Sequence, residues 1–225
     1  MSLKSVFLKL RKKVNSMSIE KEIKIKYPLA KHFPELPLMA RGGTYKNKFP
    51  EGIIVHFTAG WQSQKPKDAI NFANKNGHRY FFLDQSGTVY QQFDLSGYGP
   101  HAGESLCPVT KRSSVAKYYV GIEIACGGKL TNGKTWYGKE VLLENQRKGI
   151  INNKWQKSSG VYEKFTPEQE DSLIELCIWL CKTGCDPDLI FSHEEVSPGR
   201  KDDVGLALSI TMDEFRDRVK KGLGT

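Results

Sequence analysis

Residues 52–60 read GIIVHFTAG, and this stretch decides the fold class. Ile53, Ile54 and Val55 are three β-branched residues in a row, the pattern of a strand covered on both faces rather than one washed by solvent. A sheet built around such a strand needs helices over it, which predicts an α/β chain. The strand then meets His56, and Thr58, Ala59 and Gly60 end it. A titratable ring at that tip is either a partly buried histidine bonded to backbone or a group held rigidly towards a cleft. The stretch alone does not separate the two.

Working outward, YPLAKHFPELPLMARGG (27–43) has three prolines and a Gly-Gly and reads as an irregular lead-in. PKDAINFANKNG predicts a helix begun at Pro66 and stopped at Gly77. RYFFLDQSGTVYQQFD (79–94) predicts a hairpin around Gln85, Ser86 and Gly87. YYVGIEIACGG (118–128) reads as a second buried strand. Residues 128–160, rich in Lys, Asn and Gly with Trp136, Tyr137 and Trp155, read as a long surface insertion with a short helix at most. FTPEQEDSLIELCIWLCKTG (165–184) is the clearest helix: Thr166 as cap, Pro167 in the first position, Gln169 completing a capping box. DLIFSHEEVSPGRKDDVG (188–205) predicts a short strand and a polar loop, and 211–222 a closing helix. No internal repeat is present.

The chain has 225 residues, a 39% hydrophobic content and a net charge of +9. That length suits one domain of generous size. No run of about 18 apolar residues predicts a membrane-spanning helix. The charge favours an anionic partner: nucleic acid, an acidic membrane surface, or a wall carrying acidic polymers. The basic residues are dispersed and no stacking groove accompanies them, so nucleic acid is not expected as the main partner. Five cysteines match no zinc-ribbon or disulfide spacing. Cys177, Cys181 and Cys185 are expected to share one helix face as small core residues. MSLKSVFLKLRKKVNSM (1–17) lacks the apolar run and cleavage site of a secretory signal. It predicts a basic amphipathic helix, docked on the body or touching an anionic membrane or wall polymer.

Polar residues interrupt three apolar strands: IIV meets His56, VGIEI carries Glu123, and LIFS meets His193. One unpaired carboxylate in a core strand costs several kcal/mol. The three insertions make sense together if they converge on a cation. Two histidines and a carboxylate are a ligand set for a catalytic zinc with an open fourth position. Spacing leaves four carboxylates after His193 as the third ligand: Glu194, Glu195, Asp202 and Asp203.

IIVHFTAG, HAGES (101–105), VGIEI, FTPEQ and SHEEVSPGRKDDVG, in that order, resemble the zinc-dependent N-acetylmuramoyl-L-alanine amidases. That family includes amidase-type phage lysozymes, wall-recycling amidases and peptidoglycan recognition proteins. The resemblance covers roughly residues 41–208. It implies a peptidoglycan-recognition-protein-like single domain at 41–225, a central mixed β-sheet flanked by helices, with 1–40 as an N-terminal helix and lead-in. It implies one zinc ion held by His56, His193 and Asp203, with Glu123 as general base and Lys201 stabilising the oxyanion. His101, Tyr80 and Arg200 are the implied substrate contacts, Arg200 with bracing of its own loop as the other reading. Three departures stand out: GHRYFF before the second hairpin strand, CPVTKRSSVAKYY between HAG and GIE, and Val204 where the family usually has Pro.

The implied activity is hydrolysis of the amide joining N-acetylmuramic acid to L-alanine in peptidoglycan or muropeptides, by a monomer. A phage or prophage lysin is expected, made in the cytoplasm and acting at the wall or periplasm. A non-catalytic peptidoglycan-binding module is the alternative. Such modules typically lose a zinc ligand.

Overall fold

The β-branched run does form an inner strand of the sheet. In the computed structural model, which describes residues 23–60 and 65–224, the chain order begins β1 (Gly43–Thr44), β2 (Gly52–Phe57), α1 (Pro66–Asn76), β3 (Tyr80–Leu83), β4 (Val89–Tyr90), β5 (Gly97–Tyr98) and β6 (Tyr119–Ile124). It continues with β7 (Lys129–Leu130), β8 (Gln146–Asn152), β9 (Lys157–Glu163), α2 (Pro167–Thr183), β10 (Ile190–Ser192), the single turn α3 (His193–Val196) and α4 (Met212–Leu223). The basic helix expected at 1–17 lies outside the described residues.

The main sheet has the order β10-β2-β6-β3-β4. The first four strands run parallel and β4 closes the edge antiparallel, as the hairpin at 79–94 required. All six residues of β2 are buried. Alternation sends Ile53 and Val55 to the face covered by α2 and α4, where Leu173, Leu176, Cys177 and Leu180 meet Met212, Phe215 and Val219. Ile54 faces the other way, with Phe191 and Tyr119, under the segment carrying Ala102, Cys107 and Val115. His56, two residues on from Ile54, belongs to this second face.

The helix boundaries follow their capping chemistry. Thr166 Oγ1 accepts from the Gln169 amide at 3.1 Å and Gln169 Oε1 accepts from the Thr166 amide at 3.0 Å. Gln169 also donates to the Ala125 carbonyl at 2.9 Å, fastening the helix start to the end of β6. Gly77 stops α1 in the left-handed region, with φ 68°.

Two expectations need correction. The surface insertion expected at 128–160 is ordered as most of a second, antiparallel sheet of order β7-β9-β8, with a 3-10 turn at Leu143–Asn145 in place of a helix. Gly149 and Gly160 face each other across β8 and β9 and interrupt the alternation a strand reader looks for. The three cysteines do not share one helix either. Cys177 and Cys181 lie on α2, but the helix ends at Thr183, and Cys185 is buried beyond Gly184 with its Sγ 3.4 Å from the Pro50 carbonyl. All five cysteines are free thiols.

Candidate metal centre

Parallel pairing puts the C-terminal ends of β10, β2 and β6 on one edge, the place where open α/β sheets bind ligands. His56 and Glu123 are register partners on β2 and β6. Ser192 pairs with Val55, so His193, the next residue along, arrives beside His56. Asp203 completes the group from the loop after α3. The three donor atoms make a tight triangle: His56 Nδ1 to His193 Nδ1 2.9 Å, His56 Nδ1 to Asp203 Oδ2 3.1 Å, His193 Nδ1 to Asp203 Oδ2 3.0 Å. All three residues are buried, and among the described residues this is the one group of three or more His, Cys, Asp or Glu able to hold a metal ion.

The four carboxylates that spacing left open now separate. Glu194 is buried and accepts from the Gly205 amide at 3.0 Å, from Gln156 Nε2 at 2.9 Å and from the Ser158 hydroxyl. Its own amide donates to the Asp203 carbonyl at 2.7 Å, so Glu194 holds the Asp203 loop in place. Glu195 accepts from the Ser192 amide and pairs with Arg216 at 3.1 Å. Asp202 is half exposed, with Lys129 Nζ 3.8 Å away. Only Asp203 reaches the histidines.

Hydrogen-bond partners assign the protons on the rings. His101 Nε2 lies 2.9 Å from the Tyr119 carbonyl, which can only accept, so that nitrogen carries a proton. Burial pushes the His101 pKa well down, which leaves Nδ1 bare. His101 Nδ1 therefore accepts from His56 Nε2 at 3.1 Å. His56 is itself lowered to about 4, mainly by burial, so it is neutral and its Nδ1 is also bare. His193 Nε2 lies 2.9 Å from the Ala102 carbonyl and 3.3 Å from Arg200 Nη2, which turns its Nδ1 towards Asp203.

His56 Nδ1, His193 Nδ1 and Asp203 Oδ2 thus face one another within 3.1 Å. Lone pairs turned towards one another in a buried site repel, and buried acceptors without donors are costly. A cation at the centre removes the repulsion. Ligands about 2.0–2.1 Å from a tetrahedral zinc are about 3.3 Å apart, so the triangle has to open by only a few tenths of an ångström. The donor set fits the metal.

Around the triangle the pocket is lined by Glu123, Lys201, Tyr80, His101, His78, Phe72 and Trp136 among others. Burial, and then the charge of Asp203, raise the Glu123 carboxyl well above its ordinary range, with Lys201 pulling the other way. Tyr80 is raised by burial and by Glu123. Arg200 is placed differently from a substrate contact. It does not line the pocket, and its Nη2 donates to the carbonyls of Ala102 and Glu104 at 2.8 and 2.6 Å, bracing the loop.

His101 has a part that spacing did not reveal, because its ring fixes which nitrogen of His56 faces the centre. The signal for it was Gly121, a glycine inside a buried strand. A Cβ there would lie 2.8 Å from His101 Cγ. Phe72, His78 and Trp136 were not anticipated in the pocket.

A family profile described as N-acetylmuramoyl-L-alanine amidase matches residues 46–206. No curated protein sequence matches the chain. Among solved structures, the endolysin LysCS from Clostridium intestinale URNW superposes with a TM-score of 0.54 at 16% identity, covering 87% of this chain and 97% of its own. AmpD gives 0.52 at 15%, covering 86% and 96%. AmiD from E. coli, solved with the substrate anhydro-N-acetylmuramic acid-L-Ala-D-gamma-Glu-L-Lys, gives 0.51 at 18%, covering 80% of this chain and 60% of its own. At these identities the structures establish a shared fold, while the profile spans well over half the sequence: the chain belongs to the N-acetylmuramoyl-L-alanine amidase family.

Proposed function

We propose that the chain hydrolyses the amide between N-acetylmuramic acid and L-alanine with one zinc ion held by His56, His193 and Asp203. The observation that carries this reading is the buried triangle of two ring nitrogens and a carboxylate oxygen at 2.9–3.1 Å, a donor set that fits a cation. When bound, zinc supplies Lewis acidity, making water a stronger acid and polarising the scissile carbonyl. Glu123 takes the proton from the attacking water on its carboxylate and returns it to the leaving amine of L-alanine. Its raised pKa suits a group that must both accept and give up a proton. The Lys201 ammonium, on the pocket wall, balances the charge that develops on the carbonyl oxygen. Tyr80 and His101 face the same space, and His101 also orients His56.

The substrate class is muropeptide, in line with the ligand in the AmiD complex. A lysin role on the intact wall, reached from the cytoplasm, is supported by the +9 charge, which favours an anionic surface over small soluble fragments. The full set of ligands, base and lysine supports hydrolysis over binding alone.

Mass spectrometry of purified sacculi and of soluble muropeptides treated with zinc-loaded protein tests this. The expected product is free stem peptide beginning in L-alanine, with Glu123→Gln reducing the rate by about 10²–10⁴-fold. Absence of new L-alanine termini from both substrates, with zinc bound, would refute the assignment. Release from soluble muropeptides alone would refute the lysin role.

A further inference from the structure

His56 is on β2 and His193 opens α3, but Asp203 lies between Lys201 and Thr211, where the chain forms neither helix nor strand. Its position therefore depends on what packs behind it. That is the second sheet. A Cβ on Gly149 of β8 would lie 3.5 Å from Leu206 Cδ2, and one on Gly205 would run into the Tyr162 ring of β9. Arg147 of β8 donates from Nη1 to the Leu206 carbonyl at 3.1 Å.

Glu194 makes the joint. Its amide donates to the Asp203 carbonyl at 2.7 Å and its Oε1 accepts from the Gly205 amide at 3.0 Å, so one residue grips the chain on both sides of Val204. The carboxylate is in turn located from the second sheet: Gln156 Nε2 donates to Oε1 at 2.9 Å and the Ser158 hydroxyl donates to Oε2. Gln156, Ser158 and Glu194 are all buried. An apolar side chain at 194 would fill the space at less cost, since burying a carboxylate is unfavourable until donors surround it. What the carboxylate adds is direction. Its three bonds fix the Gly205 amide, and with it the reach of Asp203 Oδ2 towards His56 and His193. A zinc site tolerates about 0.2 Å in its ligand distances, so the placement of an irregular loop matters to it.

We infer that Glu194, Gln156 and Ser158 are positioning residues for the third metal ligand, and that the second sheet thereby sets zinc affinity. The inference rests on the metal reading above and extends it: β8 and β9 take part in metal binding without touching the metal.

Zinc affinity is read by chelator competition, alongside the melting temperature of the metal-free protein. Ser158→Ala removes one donor and is expected to weaken zinc binding about tenfold, and Glu194→Ala, which removes the clamp's side chain, about 100-fold. Glu194→Gln keeps an acceptor for Gly205 and Gln156 and a polar partner for Ser158, and should bind zinc nearly as tightly as wild type. Leu130→Ala is the control. Leu130 pairs with Val161, whose side chain alternates away from that of Ser158, so this variant should lower the melting temperature and leave zinc affinity unchanged. Undiminished zinc binding in Ser158→Ala and Glu194→Ala would overturn the inference. So would a loss in Glu194→Gln equal to that in Glu194→Ala, or a loss in Leu130→Ala as large as in Ser158→Ala. Should Glu194→Ala fail to fold, Ser158→Ala decides alone. Wild type that takes up no zinc would refute the metal reading, and this inference falls with it; the other results count against the inference alone.

Discussion

Gly121 is the smallest residue near the centre and one of the most constrained. A methyl group there would meet the His101 ring at 2.8 Å, and that ring is what keeps the proton on His56 Nε2. Gly121→Ala is therefore expected to weaken zinc affinity about 10–100-fold, the usual cost of disturbing a partner behind a ligand, with only a small change in melting temperature. A competition titration against a chelator measures it. His56, His193 and Glu123 were legible in the sequence because each is a polar residue set in or at the end of an apolar strand, where chance seldom puts one. Asp203 was not separable from its three neighbours by spacing. The family resemblance picked it out, and the hydrogen bonds now show what occupies the other three. The part played by His101 depends on a segment folding back over a strand about twenty residues later, which no local pattern announces.

At the scale of elements, the helices and main strands were readable from caps and apolar runs, since each local signal agreed with the tertiary outcome. The second sheet was not readable. Its alternation is broken by Gly149 and Gly160, Ile150 on β8 is exposed, and its strands pair only with one another. Its attachment to the main sheet runs through Glu163, a buried residue of β9 whose carboxylate accepts from the Gly127 amide just past β6. Burial, foremost, raises the Glu163 pKa above 4.5, so the folded state holds this proton more tightly than the unfolded chain. The sign follows: the native state binds more protons, so the contribution of Glu163 to stability is full below about 4.5 and declines as pH rises through the folded pKa. Glu163→Gln keeps an acceptor for Gly127 and removes that slope. Chemical denaturation across pH 4–8 should show wild type losing stability relative to the variant as pH rises. A constant difference would rule this out.

Across the whole molecule, chain order and spatial order part company. His56 and Asp203 are 147 residues apart in sequence and 3.1 Å apart in the fold, joined because β10 and β6 flank β2 in parallel. The charge is also unevenly spread: residues 128–165 carry eight Lys or Arg against three Asp or Glu, while the net charge of all 225 residues is +9. The second sheet thus brings a basic surface next to the pocket that it also supplies with Trp136. Activity on an anionic wall should fall as salt rises, whereas activity on a small soluble muropeptide should change little. Turbidity clearance and peptide release, each followed across ionic strength, check this.

Two histidine nitrogens at the strand ends and a carboxylate oxygen from the following loop make a site that fits one zinc ion. The most direct measurement is a zinc titration of chelator-treated protein, with bound metal counted by elemental analysis. One zinc per chain is expected in wild type, with affinity lower by about 100-fold or more in His56→Ala and Asp203→Asn and unchanged in Asp202→Asn. Wild type that takes up no stoichiometric zinc, or loses it equally through Asp202→Asn, would contradict the account.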